Sequence, residues 1–116
     1  MSDGEWLFRL DDLAQSAARI VDYTANLTRE EFLSNPMVMD AVVRNLEVIG
    51  EAANRIPEDF RKRFPDILWQ QMRGMRNRLI HDYSRVDSEI LWQTVQTDIR
   101  LLLPAIERAR LAARTG

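Results

Sequence analysis

The chain has 116 residues, a formal net charge of −2, one histidine and no cysteine. That length suits one core and one domain over 1–116, and the lack of cysteine excludes disulfides and thiol nucleophiles and fits a reducing compartment. No N-terminal signal pattern occurs and no apolar run approaches the ~20 residues of a membrane span, so a cytoplasmic protein with no membrane partner is expected.

The first helix is expected from Asp3 to about Leu27, because Trp6, Leu10, Leu13, Ala17, Ile20 and Tyr23/Thr24 recur at spacings of three and four. Thr28-Arg-Glu-Glu31 has the spacing of a capping box, with Phe32 next, and marks a short helical corner. Asn35-Pro36 then pairs a capping side chain with proline at the first helical position. The helix it opens runs to about Arg55. Its Val42, Leu46, Ile49, Ala53 and Ile56 repeat in a heptad suited to lengthwise packing on another helix. Gly50 sits inside that helix at a cost of ~1 kcal/mol relative to alanine. Close approach of another backbone accounts for it, and so does a tolerated neutral glycine.

Pro57 ends that helix, and Pro65 closes a short charged connector. From Asp66 a third long helix turns Leu68, Met72, Met75 and Leu79 inward, with a bend at Gly74 or a loosening after Ile80. A break at Ser84–Val86 follows. Asp87 or Ser88 caps a last helix in which Leu91, Val95, Ile99, Leu102, Ile106 and Ala109 recur, and Pro104 is expected to kink it. Trp69 and Trp92 fall beside these stripes and read as core or interface anchors. No alternating strand pattern and no Asn-Gly or Asp-Gly hairpin turn occurs. The predicted class is all-α, an antiparallel four- to five-helix bundle.

Charge is unevenly placed. Between Arg61 and Arg85 seven basic residues stand against two acidic ones, a local balance of +5 that leaves −7 elsewhere. A phosphate-facing patch on an acidic body has this pattern, and so do charges gathered by chance on solvated faces. Fifteen of the sixteen basic residues are arginine, which suits bidentate phosphate contacts, although codon bias gives the same excess.

The stretch Arg73-Gly-Met-Arg-Asn-Arg-Leu-Ile-His-Asp-Tyr83 holds the single histidine. With the Leu68/Met72/Met75/Leu79 stripe inward, Asn77 and His81 project nearly opposite to it and Arg76 and Tyr83 from its flank. Arg76 and His81 then stand ~140° apart on an ideal helix. They converge if the helix unwinds near Ile80, or if a second copy supplies one partner across a two-fold axis, the commonest oligomer symmetry and the simpler route. Such a set can cleave RNA without metal. A histidine of ordinary pKa near ~6.5 takes a proton from a ribose 2′-hydroxyl or gives one to the leaving 5′-oxygen. An arginine binds the phosphate and stabilises its developing charge. Asn77 can orient either one. The blander reading is a solvated histidine beside ordinary ion pairs such as Arg78–Asp82, four residues apart. A lone histidine with scattered carboxylates gives no zinc set, and no phosphate-binding glycine loop, nucleophile elbow or dinucleotide fingerprint occurs, so no metal and no cofactor are expected.

Arg76-Asn-Arg-Leu-Ile-His81-Asp-Tyr83 resembles the R-x4-H-x-Y motif of HEPN-domain proteins, specifically the HepT-like toxins of prokaryotic toxin–antitoxin pairs. Asp40-Ala-Val-Val-Arg-Asn-Leu-Glu-Val-Ile-Gly-Glu-Ala-Ala53 looks like the second-helix signature of the same family. The resemblance implies a helical-bundle homodimer with its active site in the dimer cleft, acting as a metal-independent endoribonuclease in a type II or VII-like system. It implies Arg76 and His81 in the catalytic positions, Asn77 in support, and Tyr83 as the residue that a minimal nucleotidyltransferase antitoxin modifies with AMP. Arg73 and Arg78 are expected to contact the RNA. Two other readings stand beside it: a non-catalytic helical subunit that binds a nucleotidyltransferase or its nucleotide, and a plain dimerisation module.

Overall fold

The computed structural model describes residues 4–82 and 87–115, with the backbone alone for Asp82. The elements are helices α1 (Glu5–Thr24), α2 (Arg29–Leu33), α3 (Pro36–Asn54), α4 (Glu58–Arg61), α5 (Trp69–Asp82) and α6 (Ser88–Gln93), a π-helical turn (Thr94–Ile99), and α7 (Arg100–Thr115). No strand occurs among the described residues. The all-α class holds.

The predicted local signals fold as read. Thr28 Oγ1 accepts from the Glu31 N–H and the Glu31 carboxylate accepts from the Thr28 N–H, so the capping box is complete. Asn35 Oδ1 accepts from the Val38 N–H ahead of Pro36. Asp87 caps α6 through the Glu89 N–H. The α1 stripe buries Leu10, Leu13, Ala17 and Ile20. Of the Tyr23/Thr24 pair, Thr24 is the buried one, its hydroxyl donating to the Ile20 carbonyl at 2.8 Å. The expected start of α1 at Asp3 lies outside the described residues, as does the break at Ser84–Val86.

Three antiparallel pairings build the bundle. Arg9 and Asp12 of α1 share a cleft with Val48 and Glu51 near the end of α3. The Met72–Arg76 turn of α5 meets Gly50, while Leu79 and Ile80 lie beside Asp40 and Val43 near the start of α3. Asp11 near the start of α1 is bonded by Arg110 and Arg114 at the end of α7. Thus α3 lies between α1 and α5, and α1 lies against the C-terminal rod. The Asp11 carboxyl is held below its ordinary value: burial works against the charged form, but hydrogen bonds and charges from Arg114 and Arg110 outweigh it. The same group raises Arg110 against its own desolvation, through Asp11 and Glu107. A second tie joins Arg29 of α2 to Glu89 of α6, and Phe32 packs on Trp92 with ring centroids 5.2 Å apart.

Two expectations need correction. The third long helix begins at Trp69, not Asp66, because Pro65 is followed by turns in which Ile67 N–H reaches Phe64 O and Trp69 N–H reaches Ile67 O. The Trp69 indole donates to Phe64 O at 3.1 Å, so Trp69 turns inward and Leu68 is left 43% exposed. In the C-terminal rod the expected single helix is interrupted by the π turn Thr94–Ile99, and Pro104 lies inside α7. Leu91, Val95 and Ile99 stay buried across the π turn.

Candidate active site

Gly50 fixes how α3 meets α5. A Cβ added there would lie 2.2 Å from Arg76 Cβ and 2.8 Å from the Met72 carbonyl oxygen, so the two helices touch backbone to backbone. This is the close approach that a glycine inside a helix suggested. The contact pins the stem of Arg76, and its guanidinium is held as well. Arg76 Nη2 lies 3.1 Å from Glu51 Oε2, and Nη1 donates to Asn77 Oδ1 at 3.1 Å. Glu51 is itself held by Arg55, whose Nε and Nη2 each reach Oε1 at 3.1 Å. The guanidinium borders a cleft of about 290 Å³ between α1, α3 and α5, which Arg9, Arg44, Glu47 and Ile80 also line.

His81 lies on the exposed outer side of α5 and has no hydrogen bond or ion pair among the described residues. Because α5 is unbroken from Trp69 to Asp82, the loosening expected after Ile80 does not begin before Asp82, and the residues that follow lie outside the described ones. Regular helical geometry therefore keeps Arg76 and His81 ~140° apart within one chain. Arg73 is half-buried and donates to Gln70 Oε1 at 3.4 Å. Arg78 stands on the other flank of α5 from Arg76, on the wall of an apolar groove of about 520 Å³ between α5 and the C-terminal rod. Tyr83 lies outside the described residues, and so does the side chain of Asp82, the expected partner of Arg78.

The basic segment is not one patch. At its α4 end Lys62 pairs with Glu58 at 3.6 Å, and Arg63 stacks over Phe60 and Phe64 at 5.2 and 5.7 Å. These two charges make local contacts, whereas Arg73, Arg76 and Arg78 gather on α5. Among the described residues no group of three or more His, Asp or Glu is placed to hold a metal ion. Sequence reasoning quoted Glu51 within the second-helix signature and gave it no role. Its i+4 pairing with Arg55 was legible, but the bond to Arg76 arises only when α5 folds back on α3.

The family model described as ribonuclease HepT-like matches residues 13–109, from α1 into α7. The chain belongs to the HepT-like family. A relative from Thermococcus cleftensis, named "Probable ribonuclease HepT", is 42% identical over 101 residues, covering 87% of this chain and 92% of that protein. Two from Methanocaldococcus jannaschii are each named "Putative RNase". One is 40% identical over 98 residues, covering 84% of this chain and 90% of the relative. The other is 42% identical over 90 residues, covering 78% and 74%. No solved structure matched. In this HepT-like chain the matched region takes in the whole α3–α5 contact and therefore Glu51, Arg76, Asn77 and His81.

Proposed function

We propose that this HepT-like protein is a metal-independent endoribonuclease, active as a homodimer, whose catalytic groups are Arg76 and His81. The observation that carries the reading is a guanidinium fixed at a helix–helix contact on the same helix as a solvent-open imidazole, in a family described as ribonuclease. Since the unbroken α5 keeps the two groups on different sides within one chain, a second copy completes the site. In the cleft between copies the ribose 2′-oxygen attacks phosphorus and the bond to the 5′-oxygen breaks, leaving a 2′,3′-cyclic phosphate and a 5′-hydroxyl. One neutral imidazole takes the 2′-hydroxyl proton and the second copy's imidazolium gives a proton to the 5′-oxygen. Arg76 balances the charge that builds on the phosphate. Asn77 supports Arg76 from the adjacent position, and Arg73 and Arg78 hold the RNA on either side.

In the cell this enzyme is the toxin of a pair whose antitoxin is a minimal nucleotidyltransferase. AMP attached to Tyr83, two residues from His81, blocks the cleft by bulk and by negative charge. The test is cleavage of total RNA in EDTA by wild type, Arg76→Ala and His81→Ala proteins of equal fold and equal dimer content. Cleavage by wild type alone supports the reading; equal cleavage by all three, or none by wild type, sinks it. Growth arrest by the wild-type gene that His81→Ala abolishes, and that a co-expressed nucleotidyltransferase relieves with a gain of AMP mass on Tyr83, tests the toxin and its control.

A further inference from the structure

We infer that Glu51 is a positioning residue for this cleavage, acting through Arg76 and resting on the ribonuclease reading above. An arginine on an open helix face carries ~2 kcal/mol of rotamer entropy, and a phosphate must order it before it can help the reaction. Here that ordering is done in advance. Gly50 presses the Arg76 stem against α3, and its neighbour Glu51 takes Nη2 at 3.1 Å while Asn77 takes Nη1 at 3.1 Å. Arg55 holds Glu51 from the next turn of α3. The result is a chain, Arg55–Glu51–Arg76–Asn77, that runs from one helix to the next.

The donor count fits the role. A guanidinium has five N–H groups; one on Nη1 goes to Asn77, and Nη2 meets Glu51 as an ion pair at 3.1 Å. The remaining N–H groups, Nε–H among them, stay available for a phosphate. A carboxylate beside a phosphate-binding arginine weakens RNA binding by like-charge repulsion, so Glu51 has no use as a binding group. What it supplies is aim: a guanidinium already turned to the geometry of the transition state. A misplacement on the order of 1 Å costs roughly 100-fold in rate.

The experiment uses the full-length protein with a fluorescent oligoribonucleotide in EDTA and compares wild type, Glu51→Ala and Glu51→Gln. For Glu51→Ala the expected result is a kcat lowered roughly 10- to 100-fold with a KM that is unchanged or lower. Glu51→Gln, which keeps an acceptor oxygen beside Nη2 without the charge, recovers part of kcat. A merely structural role moves melting temperature and active fraction together and leaves kcat per folded molecule alone. The second readout needs no cleavage: the NMR signals of the Arg76 guanidinium, assigned by their loss in Arg76→Lys. Separate, slowly exchanging terminal signals are expected in wild type and one averaged signal in Glu51→Ala. An unchanged or raised kcat in Glu51→Ala overturns the inference, and so does an averaged Arg76 signal in wild type. Failure of wild type to cleave at all sinks the ribonuclease reading, while the resonance still decides whether Glu51 fixes Arg76.

Discussion

Two glycines inside helices show how far a residue's cost depends on what it meets. At Gly50 an added methyl runs into Arg76 Cβ and the Met72 backbone, neither of which is the free end of a flexible side chain. Gly50→Ala must push α5 off α3, and overpacking of this kind costs roughly 1–3 kcal/mol. Urea denaturation should show that loss, and cleavage should fall further than stability because the Arg76 stem moves. At Gly74 a Cβ meets nothing within 4 Å and the helix is regular. Gly74→Ala should gain about 0.5–1 kcal/mol through helix propensity and a less floppy unfolded chain. A stability gain at position 50 contradicts the α3–α5 contact, and a loss at position 74 contradicts the open space around Gly74.

At the scale of elements, the tie between α1 and α7 hangs on one carboxylate that accepts from two arginines. The folded-state pKa of Asp11 is lowered, so its contribution is fully present above the unfolded value of 3.8 and is lost as pH falls through the lower folded value. Asp11→Asn should therefore destabilise the fold at pH 7, and the gap between variant and wild type in urea midpoints should close in acid below about pH 4. A gap independent of pH would mean that the arginines do not depend on the charge of Asp11. The elements were largely legible in the sequence because capping boxes and heptads are local: Thr28 with Glu31, Asn35 with Pro36, and the Val42–Ile56 stripe act within a turn or two. What escaped was set by distant partners. Leu68 and Trp69 are both apolar, and only the Trp69 indole bond to Phe64 decides which of them faces in. The π turn at Thr94–Ile99 left no mark in the apolar spacing, since Leu91, Val95 and Ile99 share one face of an ordinary α-helix as well. In the candidate site the motif residues were readable by resemblance, whereas Glu51 was not, since its partner comes from another helix.

For the whole molecule the question is where a polyanion can lie on a chain of net charge −2. Lys62 and Arg63 have contacts in Glu58 and in the Phe60 and Phe64 rings, and α5 carries three arginines beside the imidazole, which makes α5 the candidate path. Around that helix, at 100° per residue, Arg78, His81, Asn77 and Arg73 follow one another across the outer arc, and Arg76 comes next on the α3 side. An RNA strand crossing α5 in this direction meets an arginine before and after the imidazole. Removing one phosphate contact from a single strand lowers the slope of log K against log salt by about 0.7. In a His81→Ala background, which on the proposed mechanism does not cleave, Arg73→Ala and Arg78→Ala should each weaken oligoribonucleotide binding and each flatten that slope by about this amount. Fluorescence anisotropy over a sodium chloride series measures both. A slope that changes with Arg73 and not with Arg78 would place the strand on the α3 side alone, against Arg76 and the cleft of Arg9 and Arg44. A slope that changes with neither would take α5 out of the RNA path, and the cleavage assignment would fall with it.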